Sequence, residues 1–258
     1  MRKSTLVDKI RWTIQGILQK LLGYNHYLFL LSLLKIYIIK LYKREKDFNY
    51  FLNLLKESDQ VLDIGANLGI MTTLISQRVK KGKVFAFEPM PFNFTNIQRL
   101  TRWFKCTNVE CFNMALGEKD ETMEMITPTI GLTKMSGLSY VAEKNTRISY
   151  SDKVDTYQVQ ASRLENLKIF QKVHIDYIKI DVENYEKFVF RGGLEFLRKN
   201  KPVILCEIWN AKSRKEDLSL LAGMGYTMKV LEDNTLVDFD AHKHPEHLNY
   251  FFIPDKEK

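Results

Sequence analysis

Val61-Leu62-Asp63-Ile64-Gly65-Ala66-Asn67-Leu68-Gly69, followed by Phe85-Ala86-Phe87-Glu88-Pro89, decides the fold. An apolar run ends in an acid, turns through two glycines, and opens onto a helical pattern from Leu68 to Val79. About 20 residues past Gly69 a second apolar run ends in another acid, Glu88. This is the layout of a nucleoside-cofactor site at the carboxyl edge of a parallel sheet. Gly65 and Gly69 let the backbone pass close to a ligand, with Asn67 between them. Glu88, at the next strand tip, is placed to accept hydrogen bonds from both hydroxyls of a ribose.

Charge selects the cofactor. A dinucleotide seats its pyrophosphate on a helix N-terminus, usually through G-x-G-x-x-G. Here the middle glycine is replaced by Asn67, and Asp63 sets a carboxylate beside the turn. That carboxylate repels phosphate and suits a sulfonium and an amino group, which S-adenosylmethionine carries without any phosphate. The expected cofactor is therefore S-adenosylmethionine, with Asp63, Gly65, Asn67, Gly69 and Glu88 around it.

The 258 residues fit one large domain with an appendage, and a hydrophobic content of 45% supplies a sizeable core. Cys106, Cys111 and Cys206 form no C-x-x-C pair and cannot all pair internally, which points to a reduced, cytoplasmic protein. The first 46 residues hold ten Lys/Arg and two acids, so they carry the whole net charge of +8 and the remaining 212 residues are neutral. The body thus lacks the distributed positive charge of a nucleic-acid binder, and no nucleic acid is expected as partner.

Residues 1–57 read as a helical appendage and 58–258 as the catalytic domain. Leu6, Ile10, Ile14, Ile17, Leu18, Leu21 and Leu22 recur at helical spacing, and Gly23-Tyr24-Asn25 marks a stop. Tyr27–Tyr42 is nearly all apolar, but it is shorter than the ~20 residues of a span and is broken by Lys35 and Lys40. It also comes too late, and without a cleavage site, for a signal peptide. Two readings stay open for 1–46: helices packed on the body or on a second subunit as a homodimer, or a basic surface lying peripherally on anionic membrane at its inner face. From residue 60 onward strand and helix alternate. Strands are predicted near 60–64, 83–88, 108–113, 175–181, 202–207, 226–231 and 248–253. Helices are predicted near 68–80, 91–104, 184–199 and 213–223. The expected architecture is α/β, a doubly wound, mostly parallel, seven-stranded sheet of Rossmann-like type whose last strand enters antiparallel. Residues 120–160, with Thr127-Pro128-Thr129, Gly131 and Gly137, break the rhythm. They read as a lid or substrate loop with one extra strand at Val154–Gln160.

Ile175-Asp176-Tyr177-Ile178-Lys179-Ile180-Asp181-Val182-Glu183-Asn184-Tyr185-Glu186 is the second informative segment. Period-two alternation sets Lys179, Asp181 and Glu183 on one side, and delivers the two acids to the sheet edge beside the cofactor crevice. Val203-Ile204-Leu205-Cys206-Glu207 also ends in an acid, so four neighbouring strands end in Asp63, Glu88, Asp181 and Glu207. In this fold the end of the third strand, Met114 and Ala115, borders the adenine, and Phe92 and Asn93 lie close enough to border the ribose. His242, His244 and His247 fit no common zinc spacing, and no metal is expected.

Over roughly residues 58–210 the chain resembles the FkbM-type methyltransferase family. The matching segments are Leu62–Gly69, Phe87-Glu88-Pro89, Met114-Ala115-Leu116-Gly117, Ile178–Glu183, Arg191-Gly192-Gly193 and Cys206-Glu207. The resemblance implies O-methylation, often of a sugar or secondary-metabolite hydroxyl, hence a small-molecule or glycan acceptor. Asn184 stands where that family usually has Gly, and Asn tolerates the left-handed turn such a position needs. A hydroxyl acceptor must lose its proton, so a carboxylate base is expected: Asp181, Glu183 and Glu207 are the candidates, in that order. The rivals are a nucleic-acid methyltransferase on the same fold and a non-catalytic, membrane-associated scaffold. The doubly acidic Asp181-Val182-Glu183 turn argues against the first, and the retained strand-end acids argue against the second.

Overall fold

The computed structural model describes residues 5–42, 45–142, 153–209, 217, 219–245 and 247–255. Three helices lead the chain: α1 (Leu6–Leu22), α2 (Tyr24–Tyr42) and α3 (Lys46–Leu54). The alternating part follows as β1 (Val61–Ile64), α4 (Ile70–Arg78), β2 (Val84–Phe87), α5 (Pro91–Trp103) and β3 (Val109–Phe112). A second group of strands comes next: β4 (Ala115–Leu116), β5 (Glu121–Ile130), β6 (Thr133–Lys134), β7 (Tyr140–Val141) and β8 (Lys153–Ser162). The chain then returns to the main sheet with β9 (Tyr177–Ile180), α6 (Glu186–Arg191), α7 (Leu194–Asn200), β10 (Val203–Glu207), β11 (Tyr226–Glu232), β12 (Thr235–Asp238) and β13 (Asn249–Pro254).

The main sheet has the order β12-β11-β13-β10-β9-β1-β2-β3. Pairing is parallel from β10 to β3 and antiparallel wherever β13, β11 and β12 meet. The last strand does enter antiparallel, between β10 and β11. The expected count of seven is corrected to eight. Asp233 and Asn234, both at positive φ, turn β11 into a short edge hairpin with β12. A four-residue edge strand gives too short a polarity pattern to stand out in the sequence.

Apolar runs such as Val61–Ile64 and Val84–Phe87 are buried throughout, as strands covered on both faces must be. One face packs Leu62, Ile64, Phe85 and Phe87 against Phe170, Val189, Phe190 and Phe196. The other packs Val61, Val84, Leu205 and Phe251 against Ile36, Phe48, Phe51 and Leu74. Ile36 and Phe51 are fully buried, so α2 and α3 build the core although the sequence groups them with the appendage. Within the core, Asn96 Nδ2 donates to Ser32 Oγ at 2.9 Å and to the Leu68 carbonyl at 2.8 Å, tying α2 to α5 and to the cofactor-type turn. The helix expected over 184–199 is two helices, broken at Gly192-Gly193. The helix expected over 213–223 lies partly outside the described residues.

The described part of residues 120–160 is not the loop that its turn residues suggest. β5 and β8 pair antiparallel from Glu121↔Ala161 to Thr129↔Lys153, and β4, β6 and β7 complete a five-stranded sheet. Met123, Met125, Val159 and Ala161 bury its inner side against Met90. The strands alternate buried and exposed residues, so this sheet covers one face and leaves the other to water. The extra strand expected at Val154–Gln160 lies within β8.

Candidate active site

The site starts with a cross-strand pair. Register sets Asp63 of β1 directly beside Lys179 of β9, on the same side of the sheet. Lys179 Nζ lies 3.4 Å from Asp63 Oδ1 and 3.5 Å from Asp181 Oδ2, and donates to the Gly65 carbonyl at 3.2 Å. Burial works against the ammonium, but Asp63 and Asp181 outweigh it and hold Lys179 above the ordinary lysine range. Thr72 Oγ1 donates to Asp63 Oδ2 at 2.6 Å.

This corrects the role read for Asp63. Its side chain is 0% exposed and is spent on Lys179 and Thr72, so it stands behind the turn and not in the cavity. A strand-interior acid faces the sheet's flank, and here the flank supplies a cation. Lys179 is what the sequence reading left unused: a lysine inside Tyr177–Ile180 is a signal for a buried counter-ion.

Gly65 follows at φ +75, where a Cβ would lie 1.9 Å from the Asp181 carbonyl oxygen. No side chain fits between the two strand ends, so the turn and the acid stay in contact. Asn67, at φ +50, donates its backbone N–H to Glu88 Oε2 at 2.7 Å. Glu88 Oε1 accepts from Met90 N at 2.9 Å and from Asn93 Nδ2 at 3.3 Å. Three of its about four acceptor positions are therefore taken by the protein. Glu88 alone cannot hold both hydroxyls of a ribose in the way the sequence suggests. Asn67 Oδ1 and Asn93 Oδ1, both buried, have no hydrogen-bond partner and stand in the same wall.

These groups line a cavity whose empty volume is about 620 Å³ including its open mouth. Gly65, Asn67, Glu88 and Asn93 form one part of the wall, Met114 and Ala115 another, and Asp181, Val182 and Glu183 a third. The small sheet and its connections close the remainder with Met125, Ser136, Gly137, Ser139 and Val141, of which the sequence named only Gly137, as a turn residue. Gly69 and Glu207 are not in the lining. Gly69 caps α4 against Ile97, and Glu207 lies at the end of β10 opposite Asn249. Phe92 packs instead on Tyr24 and Tyr157.

Asn184 does take a left-handed conformation, at φ +68, and Glu183 before it does so at φ +51. This tight turn aims Glu183 at its acidic neighbours. Burial first, then Asp181, Glu207 and Glu186, push the Glu183 carboxyl up to about 8. Burial and Asp181 raise Glu207 to about 7. Burial raises Glu88 and Glu186 to about 7, against the hydrogen bonds each accepts. His244 is not poised for a metal: its Nδ1 accepts from Asp240 N at 2.9 Å and its Nε2 faces Glu232 Oε1 at 2.9 Å.

The raised carboxyls set a pH dependence. Each keeps its proton in the folded chain where the unfolded chain, near 4.5, has lost it, so the folded state binds more protons between about 4.5 and 8. Stability is then fullest at the acid end of that window and falls as pH rises through 7 and 8. We expect the melting temperature to drop by several degrees between pH 5.5 and 8.5 in calorimetry. A flat or rising profile would remove the raised carboxyls.

The model of the methyltransferase FkbM domain matches residues 63–252. A protein of Beauveria bassiana (strain ARSEF 2860) described as Methyltransferase 1 is 25% identical over 146 residues, 51% of this chain and 57% of that protein. The chain thus spans little more than half the length of this relative. Among solved structures, methyltransferase FkbM from Methylobacillus flagellatus KT is similar with a TM-score of 0.51 and 13% identity, over 77% of this chain and 44% of that one. That likeness speaks for the fold alone. With the family's model matched from β1 to β13, the chain belongs to the FkbM methyltransferase family.

Proposed function

We propose that this chain transfers a methyl group from S-adenosylmethionine to a hydroxyl of a small molecule or glycan. The observation that carries the reading is the division of the cavity wall by chemistry. Asn67 Oδ1 and Asn93 Oδ1 are buried acceptors without donors beside Glu88, which suits the hydroxyls of a ribose. Met114, Ala115 and Leu116 offer the apolar surface an adenine needs. Asp181 gives the cavity a negative end, favourable to a sulfonium and an amino group and hostile to phosphate. The last point supports an acceptor other than nucleic acid.

When bound, S-adenosylmethionine supplies an activated methyl on a cationic sulfur. The chain's part is to align a hydroxyl with that methyl, an effect worth ~7–11 kcal/mol of barrier, and to take the hydroxyl proton. Asp181 is the base this reading puts first, because it lines the cavity while Lys179 fixes its carboxylate. Glu183, at about 8, holds its own proton at neutral pH and serves as base only in alkaline solution. Glu207 lies outside the lining and acts on the site through charge.

Calorimetric titration tests the cofactor. The wild-type chain is expected to bind S-adenosylmethionine, and Glu88→Ala to weaken binding by at least tenfold. A charge-assisted hydrogen bond contributes ~1.5–3 kcal/mol, and the same substitution frees the Asn67 and Met90 amides. Absence of binding by a wild-type chain with a normal melting transition would overturn the assignment.

A further inference from the structure

Helix α1 is folded with its apolar side outward. Leu6, Ile10, Ile14, Ile17 and Leu21 share one face and are 46–76% exposed, whereas the buried residues of the helix are Gly16 and Gln19. A surface helix ordinarily does the reverse. Specific bonds fix this orientation. Gln19 Nε2 donates to the Lys134 carbonyl at 3.1 Å, and Lys134 N donates back to Gln19 Oε1 at 2.9 Å. Thr133 Oγ1 donates to the Trp12 carbonyl, and a Cβ on Gly16 would lie 2.6 Å from Leu132 Cβ. The polar, small-residue side is thus bolted to β6. In α2, Leu30, Leu34, Tyr37 and Leu41 form a second stripe that is 50–73% exposed. Thirteen of the seventeen large exposed hydrophobics among the described residues belong to these two helices, a density that marks a surface meant to be covered.

Charge decides what covers it. At 3.6 residues per turn, Lys9 and Lys20 flank one edge of the α1 stripe and Arg11 the other. Asp8, the one acid of α1, closes the N-terminal capping box with Thr5. Residues 1–46 carry the entire net charge of +8, so a twofold pairing of these faces would bring like charges together. An anionic bilayer accepts the apolar stripe and its basic margins at once. Among the described residues no helix is long and apolar enough to cross a membrane, so the helix has to lie on the surface. We propose that α1 binds in the interface of an anionic lipid bilayer, its Leu/Ile face in the acyl boundary and Lys9, Arg11 and Lys20 at headgroup level. The inference is independent of the cofactor assignment.

Co-sedimentation of the full chain with vesicles tests it. At low salt the chain is expected to pellet with phosphatidylglycerol-containing vesicles and at least tenfold less with phosphatidylcholine alone. Each basic residue at the surface strengthens binding roughly fivefold. Salt at 1 M, where the screening length is ~3 Å, is expected to remove that preference. The double variant Ile14→Glu, Leu21→Glu is expected to lose binding roughly 100-fold, with melting temperature and S-adenosylmethionine titration unchanged. Failure of the wild-type chain to pellet with anionic vesicles would overturn the proposal, as would wild-type binding by the double variant. A dimer in sedimentation equilibrium that the double variant dissolves would assign the face to a second copy instead.

Discussion

Replacing Lys179 with methionine is expected to destabilise the protein by ~3–5 kcal/mol, the cost of leaving a buried charge without its partner. Asp63 has no exposure through which to recover solvation, and Thr72 supplies it with a single hydrogen bond. For a domain of this size each kcal/mol moves the melting temperature by ~2–4 °C, so a drop of roughly 10 °C is expected in calorimetry. The substitution also removes the bond from Lys179 to the Gly65 carbonyl, so cofactor affinity is expected to fall with stability. Adding Asp63→Asn to Lys179→Met tests the cause. The double variant is expected to recover much of the loss, because a neutral amide no longer needs a cation. A single variant as stable as wild type would show that the pair contributes nothing.

The second large effect is expected on turnover. Asp181→Asn keeps the shape of the side chain beside the cavity but cannot take a proton. General-base catalysis typically contributes ~10²–10⁴ in rate, so turnover is expected to fall by that factor, far more than the S-adenosylmethionine affinity, which loses only one favourable charge. The residual activity carries the sharper signature. With Asp181 gone, Glu183 is the carboxyl left beside that position in the lining, and because the Asp181 charge is one of the causes that raise it, the residual rate is expected to climb with pH at a midpoint below about 8. Unchanged turnover at neutral pH would sink the base role of Asp181. Equal losses in turnover and affinity would make it a binding residue.

The parallel half of the main sheet was legible because most of its strands are short, largely apolar runs followed by an acid or an amide. Burial on both faces favours that composition, and the exceptions are the edge strand β3, with Glu110 exposed, and β9, with Lys179 buried against Asp63. The turn geometry was legible in kind: Gly65 and Asn184 do take positive φ. Glu183 was not, since nothing in a glutamate announces a left-handed backbone. Asp63 misled for a related reason. Its position at a strand end was read correctly, but whether a strand-end acid faces the ligand or the flank depends on register with Lys179, more than a hundred residues away. The small sheet was hidden by Pro128 and Gly131, which read locally as breakers. In the folded chain Pro128 sits opposite Val154 on a ribbon whose pairing spans up to forty residues. The amphipathic pattern of α1 was plain, but periodicity gives the existence of an apolar face and not its direction.

The clasp between α1 and β6 has a thermodynamic consequence. Gln19 and the Lys134 backbone hold the helix on one side of a short segment whose next residues, Ser136, Gly137 and Ser139, stand in the cavity wall. A ligand filling the cavity and a surface bound to α1 therefore bear on the same few hydrogen bonds. Linkage makes any such coupling reciprocal: the factor by which an occupied cavity changes the affinity of α1 for a surface equals the factor by which that surface changes affinity in the cavity. Measuring one of the two fixes the other, and a ratio of one would mean that the clasp transmits nothing.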